Sequence, residues 1–297
     1  MIERPFAEED FPALAAWFAA EEERLLGRPS RLGADDVRAW VRRTDLARHS
    51  VLFEDEGRIL AVGWAEPEGE IGIAVGAVAL DEQGAGLGTR LLDRSEALLA
   101  DAGVGRIHQV ALAADVRAPE LFAARGYREV RRFWEMAIEF DGPPPGPPPL
   151  DGLRIETFDP ADARAFHDTL EQAFRDHWEH VPRPFEEWWA ETQAAPGFDP
   201  TLWFVVRDRD ELAAAVRNDL NRNGGGWVAA LGVRRAWRGR GLGKALLLRS
   251  FGELYRRGCA RASLGVDADN PTGATRLYEQ AGMHVDVEQV VYERALA

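Results

Sequence analysis

Two stretches of this sequence place glycine at alternate positions: Gln83-Gly84-Ala85-Gly86-Leu87-Gly88 and Arg238-Gly239-Arg240-Gly241-Leu242-Gly243. Thr89 follows the first and Lys244 the second. Glycine tolerates left-handed backbone and lets main-chain N–H groups crowd around one point. Where such a turn opens a helix, those amides and the positive helix end together favour an anion. A diphosphate is the natural guest. Arg234, Arg235, Arg238, Arg240 and Lys244 also lie within eleven positions of a chain whose formal charge is −14. Their guanidinium and ammonium groups suit phosphates.

Two familiar phosphate loops fail on these residues. A Walker A loop needs glycine where Arg238 stands and Ser or Thr where Ala245 stands. The dinucleotide fingerprint needs its third glycine where Lys244 stands, and it belongs at the start of a βαβ domain. Here several strands come first.

Both turns sit between a strand and a helix. In the second half the apolar spacing predicts helices over Pro160–Asp176 and Pro184–Gln193, then strands at Leu202–Arg207, Leu212–Asp219 and Trp227–Val233. A helix from Gly241 to Arg257, a strand at Ala262–Val266, a helix at Thr272–Gln280 and a strand at Val285–Arg294 complete it. The first half repeats this order. Helices at Glu8–Leu25 and Ala34–Arg43 precede strands at Ser50–Glu54, Ile59–Ala65 and Ile71–Val78. A helix over Gly86–Ala102, a strand at Ile107–Leu112, a short helix at Pro119–Ala124 and a strand at Arg132–Phe140 follow.

Between the halves, Asp141 to Gly152 contains six prolines. Proline fixes φ and removes a backbone donor, so this stretch reads as a stiff spacer. The expected organisation is a domain over 1–141, a proline-rich linker over 142–152 and a second domain over 153–297. Each is expected to be α/β (α+β in the broader sense), a mixed, mostly antiparallel sheet flanked by helices.

Composition narrows the function classes. Hydrophobic residues make up 46% and charged residues 29%, ordinary globular usage. No apolar run reaches the ~18 residues of a membrane span, and the acidic first ten residues do not read as a secretory signal. The single cysteine, Cys259, suits a reducing interior, so a cytoplasmic protein is expected. Six histidines show no metal-ligand spacing, and no metal is expected. The acidic balance of 36 basic against 50 acidic residues argues against nucleic acid and permits a cationic small molecule. A monomer or homodimer is expected.

The two glycine turns resemble the acyl-CoA pyrophosphate loop of the GNAT N-acetyltransferase superfamily. Val233-Arg234-Arg235-Ala236-Trp237-Arg238 looks like the end of the family's splayed fourth strand entering that loop. Leu264 to Asn270 resembles the fifth strand with its trailing Asn. Ala274, Leu277, Tyr278, Gly282 and Met283 match the motif that follows, with Met in place of Phe. Two such domains in one chain resemble the tandem subgroup that includes mycothiol synthase. The resemblance implies acetyl-CoA as cofactor, held by Leu231, Gly232, Val233, the loop Arg238 to Lys244, Asn270, Ala274, Leu277 and Tyr278. Val78 and Gln83 to Thr89 would play the corresponding part, more weakly, in the first half.

The family mechanism is direct transfer to an amine in a ternary complex, with a tyrosine protonating the departing thiolate. Tyr278 has that position. Aligning Gly126 with Gly282 sets Phe122 opposite Tyr278 and Ala114 opposite Asn270. Phenylalanine has no transferable proton, so the first domain is expected to be catalytically silent. The base is less legible, because Trp227 stands where mycothiol synthase has Glu. His177, Glu179, Asp219, Trp227 and Asp267 are the acceptor-side candidates, together with Asp176 and His180. The expectation is acetylation of a small primary amine of amino-sugar, antibiotic or polyamine type. A non-catalytic acyl-CoA sensor and a protein N-acetyltransferase are the alternatives.

Overall fold

Glu56 and Gly57 both have left-handed backbone, with φ of 48° and 80°. A two-residue turn of that kind matches the twist of a hairpin. It joins β2 to β3 in the computed structural model, which describes residues 1–195, 197–270 and 272–296. In chain order the first half contains β1 (Ile2–Arg4), α1 (Phe11–Leu26), α2 (Ala34–Trp40) and α3 (Leu46–His49). It continues with β2 (Ser50–Asp55), β3 (Arg58–Glu68), β4 (Ile71–Val78), α4 (Leu87–Asp101), β5 (Arg106–Leu112), α5 (Arg117–Ala124) and β6 (Arg128–Glu139). The second half contains β7 (Arg154–Thr157), α6 (Ala163–Phe174), α7 (Phe185–Ala194), β8 (Phe204–Asp208), β9 (Glu211–Arg222) and β10 (Gly225–Val233). It ends with α8 (Leu242–Arg256), β11 (Arg261–Asp267), α9 (Ala274–Gln280) and β12 (His284–Ala295).

The same pairing recurs in both halves. Strands β1 to β4 pair antiparallel in sequence, and β4 then pairs parallel with β5. Strands β7 to β10 likewise pair antiparallel, and β10 pairs parallel with β11. Each sheet is therefore mixed and mostly antiparallel, as expected. On one face of the first sheet, Phe11, Leu14 and Val37 pack on Leu52 and Val62. On the other, Leu87 and Leu91 of α4 pack on Val51, Phe53 and Ala61. In the second sheet Phe166, Leu170 and Trp188 cover Trp203, Val205 and Ala215 from the α6–α7 side. Helix α8 covers the reverse: a Cβ on Gly226 would meet Leu254 at 2.6 Å.

Two compact units result, and their boundaries correct the division read from the prolines. The first unit takes residues 1–134, 267–269 and 287–296; the second takes 135–266 and 270–286. Strand β6 is thus divided, and most of β12 belongs to the first unit. The reason is pairing. Residues Gln289 to Ala295 run antiparallel to β5, from Leu112 back to Arg106. Val290 and Tyr292 are buried there beside Ile107 and Phe122, each burial being worth about 1.5–3 kcal/mol. The proline stretch lies outside helix and strand, as expected.

Candidate active site

The second glycine turn has the backbone the sequence implies, with a division of labour among its glycines. Gly239 and Gly241 take φ of 75° and 79°, which other residues rarely adopt. Gly243 does something else: a Cβ there would sit 3.3 Å from Leu277. Its role is close packing of α8 against α9. Gly241 is the N-cap of α8 and offers no side-chain cap, so the first helical amides stay open to an anion. The first unit repeats the design. Gly84 and Gly86 take φ of 90° and 87°, and a Cβ on Gly88 would meet Leu121 at 2.9 Å.

The cations around the second turn are less uniform than their spacing suggests. Arg238 turns inward, donating through Nε to the Val233 carbonyl and through Nη2 to the Ala173 carbonyl, both at 3.1 Å. It braces the loop. Arg234 donates to Gln172 Oε1 at 2.9 Å and lies over the Trp237 ring, and Arg235 is paired with Asp176. Their spacing suggests phosphate partners, but in the structure all three direct their charges at protein acceptors. Arg240 keeps a loose pair with Asp208 at 3.7 Å. Lys244 is half-buried and forms no ion pair among the described residues.

Leu231, Gly232 and Val233 pair on one edge with Val216, Ala215 and Ala214 of β9. On the other edge, β10 pairs with β11 only at Gly226–Ala262 and Trp227–Ser263 among the described residues. Ala229 is an extra residue in β10, and such a bulge bends its strand. The two parallel strands thus part beyond Trp227, leaving one polar edge of Leu231–Val233 for an extended ligand.

Tyr278 lies on α9, 8% exposed, and burial pushes its phenol up to about 12. It therefore holds its proton throughout the neutral range. Ala274 opens the same helix, and Leu277 is the contact for Gly243. Asn270 Oδ1 accepts from the Thr272 amide at 2.8 Å and its hydroxyl at 2.5 Å, so its oxygen shapes the turn before α9. In the first unit that function falls to Asp115, whose Oδ1 accepts from the Arg117 amide at 2.9 Å. Ala114, expected opposite Asn270, is one residue out of step.

The acceptor candidates separate. Asp267 Oδ2 accepts from Arg131 at 3.0 and 2.7 Å, and its Oδ1 accepts from the Asp269 amide at 2.9 Å. Both oxygens are engaged in structural hydrogen bonds. Helix α6 ends at Phe174, two residues before its expected end, and the segment Asp176 to His180 is a turn. His177 lies edge-on to Phe174 at 4.6 Å, Glu179 is exposed with φ of 52°, and His180 meets Glu171 at 3.0 Å. Trp188 is buried against Phe166 and Trp203, a core residue. Asp219 and Trp227 are direct cross-strand partners on β9 and β10.

The first unit contains a cleft of about 320 Å³. Val78, Gln83, Gly84, Gly86, Gly88, Thr89 and Phe122 line it; Ala85 and Leu87 do not. Arg117, which spacing alone did not single out, also lines it and brings its guanidinium within 3.5 Å of a Cβ placed on Gly84.

Residues 5–127 and 163–283 each match the acetyltransferase (GNAT) family. The chain belongs to the GNAT family. This tandem GNAT protein is an acyl-CoA-dependent acetyltransferase. It is 32% identical over 219 residues to the mycothiol acetyltransferase of Thermobispora bispora, covering 71% of this chain and 72% of that protein. It is 32% identical over 264 residues to the mycothiol acetyltransferase of Thermobifida fusca, covering 81% and 80%. A GCN5-related N-acetyltransferase from Sphaerobacter thermophilus superimposes with a TM-score of 0.86 at 33% identity, over 99% of this chain and 95% of that one. A tandem GNAT protein from the clavulanic acid biosynthesis pathway shares the fold, with a TM-score of 0.72 at 14% identity over 100% and 98% of the two chains. The GNAT fold generally binds acetyl-CoA. Among the described residues no helix is long and apolar enough to cross a membrane.

Proposed function

We propose that the second unit transfers the acetyl group of acetyl-CoA to a primary amine of a small molecule, by direct attack in a ternary complex. The single observation that carries this reading is the buried phenol of Tyr278 on α9, the helix whose Leu277 packs with Leu231 and Val233 around Gly243 of the glycine turn. Acetyl-CoA supplies the activated thioester. The open amides of Leu242, Gly243 and Lys244 at the α8 start are suited to its diphosphate, and Lys244 adds a cationic side chain in that first turn. Leu231 to Val233 offer backbone groups to the pantetheine arm. As the amine nitrogen bonds to the acetyl carbon and the C–S bond breaks, Tyr278 donates its proton to the sulfur so that CoA leaves as a thiol, and the proton lost by the nitrogen passes through water to restore the phenol. The Asn270 side-chain amide keeps its donors for the cofactor side of the site.

The first unit has the glycine turn and the cleft but Phe122 in place of the phenol. In this reading it holds a nucleotide-like ligand and transfers nothing. The mycothiol acetyltransferase name of the relatives supports an acceptor of small-molecule size. The test is a panel of primary amines with acetyl-CoA, following free thiol, on the intact protein and on Tyr278→Phe. Acetylation of at least one amine, weakened by the substitution, is expected. Thiol release that is equally fast in both proteins would remove Tyr278 as the acid.

A further inference from the structure

We infer that Arg217 and Asp219 form the acceptor-binding pair of the second unit, recognising a primary ammonium that stands next to a hydrogen-bond-accepting oxygen in the same small molecule. The inference rests on the amine-acetylation reading above. The bulge in this pairing lies on β10 at Ala229, and β9 has no extra residue of its own from Ala214 to Asp219, so Ala215, Arg217 and Asp219 share one face. That face looks toward α6. Gly232 is cross-strand from Ala215, and a Cβ on it would meet Ala173 at 2.8 Å and Leu170 at 3.0 Å.

Trp227, the partner of Asp219, marks the place where β10 and β11 cease to pair. The carboxylate is therefore one strand, about 5 Å at the backbone, from the opened edge. Trp227 forms a wall beside it, with Arg222 stacked over the indole at 4.9 Å.

The pair itself has unused binding capacity. Arg217 and Asp219 approach only to 3.9 Å, and the Asp219 carboxylate accepts no hydrogen bond among the described residues. A partly exposed pair at that distance contributes little, so each charge stays available. Arg217 lies over Trp203 at 5.8 Å, and its Nε is buried without an acceptor. Such a donor is unfavourable until an oxygen meets it. The other charged groups at the adjacent strand are committed: Arg261 to Asp286, and Asp267 to Arg131. An ammonium on Asp219 with its neighbouring oxygen on Arg217 Nε satisfies both groups at once.

The test uses the full chain, comparing Asp219→Asn, Asp219→Glu and Arg217→Gln with the unaltered protein. Steady-state kinetics are measured on plain alkylamines and on amines carrying an adjacent hydroxyl or carboxylate, and acetyl-CoA affinity is measured by calorimetry. Asp219→Asn is expected to raise the amine KM about ten-fold, with acetyl-CoA affinity unchanged and Asp219→Glu recovering part of the loss. Arg217→Gln is expected to remove the preference for the oxygen-bearing amines. An unchanged amine KM in Asp219→Asn, or a preference that survives Arg217→Gln, overturns the pair while leaving amine acetylation standing. Binding of acetyl-CoA with no amine acetylated by the unaltered protein overturns both.

Discussion

Tyr278 and Phe122 occupy the same place in the two units. Five residues on, the Met283 amide returns to the Tyr278 carbonyl and the Tyr127 amide to the Phe122 carbonyl, each at 3.0 Å. The two short helices close in the same way, and at this position their side chains differ by one hydroxyl. Phe122 fills its place by packing between Tyr127 and Tyr292, at 5.7 and 5.0 Å between ring centres.

Tyr278→Phe removes that hydroxyl with almost no change of volume. General acid catalysis typically contributes 10²–10⁴-fold, and CoA thiolate is a fair leaving group, so a loss of about 10²-fold in kcat is expected. KM for acetyl-CoA should change little. Phe122→Tyr in the same background should restore nothing, because the first unit is proposed not to carry the reaction. Steady-state thiol-release assays on the two variants check both statements.

The Tyr278 phenol also ties stability to alkaline pH. Its folded pKa, about 12, lies above the ordinary 10.0, because burial disfavours the phenolate. Below pH 10 both states keep the proton and the contribution is fully present. Above it the unfolded chain loses the proton first, so stability falls by about 2–3 kcal/mol as pH rises through the folded value. Urea unfolding at pH 9 and pH 11 should show this slope in the native protein and a shallower one in Tyr278→Phe.

Glu253 gives the opposite dependence. Hydrogen bonds from Arg256, working against burial, and from Arg257 hold its carboxyl below the usual range. A depressed carboxyl stabilises above its unfolded value and loses that contribution as pH falls through the folded one. Glu253→Gln should therefore cost about 2 kcal/mol at pH 7 and progressively less as the pH falls below the ordinary carboxylate range. Thermal unfolding of both proteins across that pH range measures the difference.

Much of this can be read from residues, and each failure has an identifiable cause. Ile71–Val78 was placed as a strand with its observed bounds because a run of β-branched and small apolar residues ends in a polar turn. Helix α8 was placed within one residue because Gly241 and the apolar spacing after it are local signals. Strands β1 and β7, of three and four residues, and helix α3, of four, are too short to show any period. The pairing of Gln289–Ala295 with β5 is invisible for another reason, since partners almost two hundred positions apart leave no local trace. Side-chain direction is equally hidden. Nothing in the letters around Arg238 says that its guanidinium turns back to Val233 and Ala173.

Lys244 and Arg235 allow the charge reading of the loop to be tested by contrast. They lie nine positions apart around the same turn, yet Arg235 is paired with Asp176, whereas Lys244 forms no ion pair among the described residues. An ammonium without a partner, beside open helix amides, gains most from a phosphate and loses most when salt screens it. Lys244→Ala should weaken acetyl-CoA binding about five- to ten-fold and flatten its dependence on salt. Arg235→Ala should leave both nearly unchanged, because the charge it removes is already met by a carboxylate. Calorimetric titrations of the two variants at low and high salt decide the matter; equal losses from both would mean that the loop gathers phosphate by its overall charge rather than through one cation.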